Sequence, residues 1–592
     1  MCFMFQDKVF YQIYPKSFKD SDDDGIGDIN GIISELGYLH YLGVDVLWIT
    51  PVFVSPQKDN GYDVADYYNI DPIYGTLDDV KELIERASKL DIDIMFDMVF
   101  NHSSTDHEWF KRAMNGEQEY KDCYIFKKGI FASDTNSNSS TQNVTRTVAN
   151  QNSVNPNATQ DGDSQSNNSK SSGTQLPPTN WQSKFGGDAW EYVPSLDEWY
   201  LHLFDKSQAD VNWSNPKVRN EFIKVLNYWI DLGVKGFRFD VINLIGKDKF
   251  ESDDTDGKMY YTDLPIVHDY LKEINAASFG KDEDIITVGE MSATTIENCA
   301  KYAGYGEGEL DMVFSFHHLK IDYKDGNKWD LQPVDFVQLK KIFCDWQIGM
   351  QKHNAWNALF WSNHDQPRAI SRFGDTEKYP YQSGTMLATI IHFMRGSPYI
   401  YQGEEIGMTN AGFSDISQYK DVESLNFYYI LKAQGKTESE IMKVLQARSR
   451  DNARTPMQWD DTKNAGFSQG TPWISVADNY KDINVASEMK RDQSILHYYT
   501  NLIRIRKQNL VVSCGTFEPL LYDHKEIFAY KRELDDDEMI VVCNFFSNTV
   551  TDIDIDLDGY EIALNNYPGF DLNNIQPYQA VVFLKLAEDD EE

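Results

Sequence analysis

The chain has 592 residues, 41% of them hydrophobic and 14% aromatic, and 55 basic against 93 acidic residues give a net charge of −38. That length suits two to four folding units, or one large barrel with insertions, and supplies a sizeable buried core. So negative a field repels nucleic-acid phosphates and anionic membranes, which excludes a polyanion-binding protein, and an anionic small substrate would need a local basic pocket to overcome it.

At the N-terminus, Met1-Cys2-Phe3-Met4-Phe5-Gln6-Asp7 has no basic stretch followed by an apolar one, so no signal peptide is expected. No run is long and apolar enough to span a membrane. The six cysteines are scattered without metal-ligand spacing and read as thiols of a reducing compartment, so a cytoplasmic, monomeric protein is expected.

Apolar runs at 9–14, 44–54, 92–100, 233–242, 285–291, 310–316, 356–362 and 397–403 alternate with segments of helical period such as 76–90, 216–232, 265–277 and 335–351. Eight strand-then-helix units predict an α/β protein, a (β/α)₈ barrel, with its chemistry at the C-terminal ends of the strands. Residues 1–101 and 205–508 are assigned to the barrel, and 102–204 to a domain inserted after the third strand. Within the insertion, residues 132–179 are nearly devoid of apolar side chains and are expected to be disordered. The sequons at Asn138, Asn143 and Asn157 there follow from composition rather than marking glycosylation. Short alternating runs within 509–592 predict a C-terminal antiparallel β-domain.

Polar residues closing the strands are the candidate site. Retaining glycosidases need a carboxylate nucleophile and a carboxylic acid about 5–5.5 Å apart. Asp240 closes the fourth run, Glu290 the fifth and Asp365 the seventh. Adjacent strands lie about 4.8 Å apart, so Asp240 and Glu290 can flank one glycosidic bond. Arg238, two residues before Asp240, shares its strand face and would keep it ionised.

Four segments, Asp97-Met98-Val99-Phe100-Asn101-His102, Gly236 through Asn243, Gly289-Glu290 and Asn363-His364-Asp365, resemble in order the signature regions of the α-amylase superfamily of glycoside hydrolases. The resemblance implies Asp240 as nucleophile, Glu290 as general acid/base and Asp365 as transition-state stabiliser. It also implies that Asp63, His102, Arg238 and His364 contact the sugar at the cleaved end, with Arg454 paired to Asp63. No organic cofactor is implied.

Gln208-Ala209-Asp210-Val211-Asn212-Trp213 and Val241 are similar to the oligo-1,6-glucosidase group. That group includes enzymes of isomaltose and dextran and others that take a phosphorylated disaccharide. Phe316-His317-His318-Leu319-Lys320, Asn180-Trp181-Gln182-Ser183-Lys184, Tyr260-Tyr261-Thr262-Asp263 and the segment from Ala355 to Trp361 resemble the phosphorylated-disaccharide members. A phosphate needs cationic donors, and Lys184, Lys320, Lys324 and Lys328 are the candidates, although any one lysine is ordinarily a solvated surface amine. The rival readings are an oligo-1,6-glucosidase or dextran glucosidase with a neutral acceptor site, a sucrose-isomerising enzyme, and a catalytically inactive barrel serving as a binding subunit.

Asp20-Ser21-Asp22-Asp23-Asp24-Gly25-Ile26-Gly27-Asp28 resembles an EF-hand-type calcium loop. Asp20, Asp22, Asp24 and Asp28 would supply side chains and Ile26 its carbonyl, for an ion that is structural because two-carboxylate hydrolysis needs no metal. No zinc-type histidine pair occurs, and His317 and His318 are expected on opposite faces of a strand.

Overall fold

The computed structural model describes residues 5–131 and 175–587. Eight parallel strands close into a barrel: β1 (Phe10–Ile13), β2 (Val46–Ile49), β3 (Asp93–Met98), β4 (Gly236–Phe239), β5 (Ile286–Met291), β6 (Met312–Ser315), β7 (Asn357–Leu359) and β8 (Ser397–Tyr401), each paired with its neighbour in sequence and β8 with β1. All eight lie within the apolar runs predicted to be strands. Their side chains are buried nearly without exception, as expected of strands covered by helices outside and packed within.

The helices start where local chemistry satisfies their first N–H groups. Thr76 and Asp79 form a capping box before Leu77–Ser88, and Asn215 caps Pro216–Asp231, whose first residue is a proline lacking the donor. Apolar stripes of these helices pack on the strands, and one continuous core runs from the barrel to the C-terminal sheet.

That sheet has five antiparallel strands, β9 (Thr516–Leu520), β10 (Ile527–Leu534), β11 (Asp537–Asn544), β12 (Glu561–Asn565) and β13 (Ala580–Lys585), in the order 9-10-11-13-12. Lys340, buried on the barrel helix Phe336–Lys352, donates to the carbonyls of Leu521, His524 and Ile527 and ties the two units together.

The segment after β3 leaves and re-enters the barrel through one pairing, His102–Ser104 antiparallel to Gln208–Asp210. Between them Trp190–Val193, Glu198–Leu201 and Phe126–Lys127 form a small sheet. Most of the expected polar loop, 132–174, and its three sequons lie outside the described residues. Residues 175–179 depart from that expectation: Gln175–Leu176 pairs with Ile130–Phe131, and Thr179 is buried, accepting a hydrogen bond from Trp190. A second insertion, not singled out in the sequence, follows β8: helices Val422–Ala433 and Glu438–Arg448 pack on Trp329, Phe413 and Tyr419 in a core of their own.

Cys123, Cys299, Cys344 and Cys543 are buried thiols, whereas Cys514 is disulfide-bonded, contrary to the expectation of thiols throughout. Among the described residues no helix is long and apolar enough to cross a membrane.

Candidate active site

The centre of the site is Arg238, on β4 and 1% exposed. The parallel register sets Arg238 beside Asp97 on β3, and Phe239 beside Gly289 on β5, so the next residues, Asp240 and Glu290, emerge together at the strand ends. Nη1 of Arg238 bonds Asp97 at 2.6 Å and Asp240 at 2.8 Å, while Nη2 bonds Glu290. One planar guanidinium thus orients three carboxylates, a task its fork geometry suits. Tyr62 and the Trp48 indole also donate to Asp97. Burial and the neighbouring Asp240 push the Asp97 carboxyl up to about 6 despite the arginine. Val241, directly after Asp240, sits at φ 38°, ψ 39°, a left-handed conformation that costs a β-branched residue about 1–2 kcal/mol.

Across the pocket, the Asp365 carboxylate lies 2.7 Å from Arg454, 3.3 Å from Arg450 and 3.4 Å from His364. Burial alone would raise its pKa, but His364, Arg450, Arg454 and Arg238 together hold it far below the usual carboxylate range. His364 stacks on Tyr62 with the rings 5.1 Å apart and on Tyr14, and its Nδ1 accepts from the Gln12 amide at 2.7 Å. That bond leaves the Nε2 proton facing Asp365 and the pocket. His102 is buried, its Nε2 3.1 Å from the Tyr62 carbonyl, and desolvation keeps it neutral.

The expected pairing of Arg454 with Asp63 is not what the structure holds. Asp63 is turned into its own loop, accepting from Ser55, Lys58 and Asp59, and Arg454 serves Asp365 and the His364 carbonyl. The acid–arginine pair across the pocket is Asp59 with Arg450, at 2.9 Å, each four residues upstream of the residue named from sequence. Asp421 braces Arg450 from the second insertion. Both segments carry two candidate residues four apart, and only the fold distinguishes them.

Lys247, also unremarked in the sequence, bridges the insertion to the barrel, bonding Asp210 at 3.0 Å and Asn101 at 2.7 Å directly behind His102.

Beside the carboxylates lies a group of lysines. Lys184 follows Ser183 in the insertion, Lys258 sits in the turn Lys258–Tyr260, and Lys320 donates to the carbonyl of Ser292, two residues beyond Glu290. Burial holds the Lys184 ammonium down to about 8, and the charges of Lys258 and Lys320 add to that effect. Lys258 pairs with Asp256, among the described residues the one carboxylate bonded within the group. Phe185, next to Lys184, packs on the Arg450 guanidinium at 4.8 Å, which joins the lysines to the pocket.

Two other sequence candidates are engaged differently. Lys328 pairs at 2.6 Å with Glu423, which also lies 3.7 Å from Arg450, and Lys324 is exposed in the turn Lys324–Gly326. His317 and His318 lie in a 3₁₀ turn rather than on a strand, packed on Trp346 and Phe343 respectively.

At the loop after β1, carboxylate oxygens of Asp20, Asp22 and Asp28 lie within 4.8 Å of one another. Asp20 accepts the backbone N–H groups of Asp22, Asp23 and Gly25, and Asp24 that of Ile26, so the loop is wound around its own acids.

An eight-stranded barrel with Asp240 and Glu290 on neighbouring strands at its C-terminal mouth has the paired carboxyls of a glycoside hydrolase. Residues 12–515 match the alpha amylase catalytic domain, and the chain belongs to that family. It is 46% identical to the trehalose-6-phosphate hydrolase of Bacillus subtilis over 97% of each chain, and 41% identical to the oligo-1,6-glucosidase of Halalkalibacterium halodurans over 98% of this chain and 99% of that one. The crystal structure of the Bacillus licheniformis trehalose-6-phosphate hydrolase superposes with a TM-score of 0.87 at 46% identity, covering 98% of this chain and 99% of that one.

Proposed function

We propose that the protein is a retaining α-glucosidase that hydrolyses trehalose 6-phosphate to glucose and glucose 6-phosphate. The observation that carries the reading is the cluster of Lys184, Lys258 and Lys320 beside Asp240 and Glu290: three ammonium groups pressing on one another in a chain of charge −38 form a local basic pocket suited to a phosphate.

The unphosphorylated glucose lies at the floor, its hydroxyls held by Asp365, His364, His102, Asp59 and Arg450. Asp240 attacks its anomeric carbon as the bond to the bridging oxygen breaks. Glu290 gives that oxygen its proton, from the carboxyl oxygen not held by Arg238, and glucose 6-phosphate leaves. Water then attacks the same carbon, Glu290 takes its proton, and Asp240 is released. The register Phe239↔Gly289 supports retention, because neighbouring strands are about 4.8 Å apart and leave no room for a water between the two carboxyls.

The same carboxylates would serve an oligo-1,6-glucosidase, and the 41% identity to one keeps that reading alive. Incubation with trehalose 6-phosphate and, separately, isomaltose decides: release of glucose 6-phosphate without turnover of isomaltose supports the proposal, and the reverse overturns it.

The loop of Asp20, Asp22, Asp24, Ile26 and Asp28 is proposed to hold a structural calcium ion. The mutual approach of three carboxylates supports it, as do Asp24 and Asp28, whose carboxyls are raised by burial and by the charge of Asp22 nearby. A cytoplasmic, monomeric protein is proposed as well, to be tested by fractionation and light scattering.

A further inference from the structure

The segment that delivers His364 and Asp365 has no regular structure between β7, ending at Leu359, and the short helix Ala369–Phe373. At its start, Ser362 donates to Glu404 Oε2 at 3.0 Å, and Tyr499 donates to Oε1 at 3.0 Å. At its end, Arg368 is 1% exposed, donates through Nη1 to the carbonyl of Gln402 just beyond β8, and packs on Tyr401 at 5.0 Å. Its Nε and Nη2 are buried with no hydrogen-bond partner, as is Oε2 of Glu405. Arg368, Glu404, Ser362 and Tyr499 line one cavity of about 10 Å³, room for a single water with several polar neighbours. The Gln402 N–H in turn donates to the carbonyl of Gln12, whose amide holds His364, closing a ring around the segment.

We propose that Glu404 and Arg368 are positioning residues that clamp the Ser362-to-Arg368 segment at both ends, bridged by a water, and thereby hold Asp365 at the geometry hydrolysis needs. This rests on the reading of Asp365 as part of the reactive site. Neither residue touches the sugar; they act through the backbone between them.

The groups facing Glu404 are few. Tyr499 comes from helix Ile495–Gln508, Ser362 and Arg368 from the segment, and Glu405 from its own turn, itself held by Tyr11 of β1 and Tyr38 of helix Leu36–Leu42. Gly384 and Leu387 of helix Pro380–His392 and Met408 add no charge. Burial, with Glu405 alongside, pushes Glu404 up to about 7. Above that pH it is ionised opposite Arg368. Below it the arginine loses that counter-charge and the clamp slackens.

The test is kcat and KM against pH for wild type, Glu404→Gln, Ser362→Ala and Asp365→Asn, with p-nitrophenyl α-glucoside as substrate so that no substrate phosphate titrates. Wild type should show a step in kcat near pH 7. Glu404→Gln should lower kcat about 10-fold at high pH with KM within about twofold, and erase the step. Ser362→Ala should lose about threefold and keep it. The proposal is overturned if wild type has no such step, if Glu404→Gln retains wild-type kcat, or if it loses the same factor at every pH with the step intact. Should Glu404→Gln fail to fold, an unchanged kcat in Ser362→Ala overturns the clamp. Full activity in Asp365→Asn would instead overturn the site reading beneath it.

Discussion

The floor and the mouth of the pocket handle charge in opposite ways. At the floor, Arg238, Arg450 and Arg454 each lie against carboxylates, of which Asp97 is tied in turn to Tyr62 and Trp48, Asp365 to His364 and Asp59 to Gln208. At the mouth, Lys184, Lys258 and Lys320 crowd one another with Asp256 as their bonded carboxylate. A buried pair that satisfies itself holds geometry, whereas an unbalanced cluster of one sign is poised for a ligand of the other. The comparison predicts that floor substitutions strike kcat and mouth substitutions strike KM, and then only for a phosphorylated substrate.

The largest effect belongs to the floor. Asp240→Asn and Glu290→Gln should each cut turnover of trehalose 6-phosphate by on the order of 10⁴-fold while leaving substrate affinity nearly intact. Residual turnover near wild type in either variant would break the assignment. Next is the pair missed in the sequence. Arg450→Ala strands Asp59 without its counter-ion and leaves Asp421 only Arg454, 3.6 Å away. That should cost about 3–5 kcal/mol of stability, and kcat/KM should fall on the order of 10²-fold on phosphorylated and plain glucosides alike.

At the mouth, Lys184→Ala, Lys258→Ala or Lys320→Ala should raise KM for trehalose 6-phosphate by about 10- to 100-fold, the worth of a charged hydrogen bond, with p-nitrophenyl α-glucoside kinetics unaltered. Equal losses on both substrates would show that the lysines hold structure rather than phosphate. The pH dependence sharpens this. Lys184 is protonated below about 8 and neutral above it, so KM for trehalose 6-phosphate should climb as pH passes about 8, where the substrate phosphate is already fully ionised. Lys184→Arg should flatten that climb. The smallest effect lies outside the comparison: chelating calcium should lower the melting temperature by several degrees, read by calorimetry, with the kinetics of the folded enzyme unchanged.

Much of this was legible from the chain. A strand buried on both faces must be an apolar run of the right length between helices of period 3.6, and all eight runs are where the barrel strands lie. Asp240 and Glu290 follow because a barrel presents strand ends at one face, so chain order alone puts them at one mouth, whereas Asp365 lies on the irregular segment beyond β7, which ends at Leu359. The lysines show where this logic stops. Lys184, Lys258 and Lys320 come from the insertion, the loop after β4 and the turn after β6, and a lysine at any of these positions is unremarkable in isolation. Lys328 resembles the others in sequence, yet Glu423, from an insertion the periodicity did not reveal, occupies it.

The sequence by itself determined the barrel, the C-terminal sheet and the pair Asp240 and Glu290, because each is encoded in local periodicity or in the residue at a strand's end. Only the tertiary structure decided that Arg450 rather than Arg454 meets the acid flanking Gly61-Tyr62, and that this acid is Asp59 rather than Asp63. The same holds for the choice of lysines that converge. Ion pairs and like-charge clusters are set by distances of a few ångströms between segments hundreds of residues apart, and nothing in local sequence fixes those distances until the core has packed.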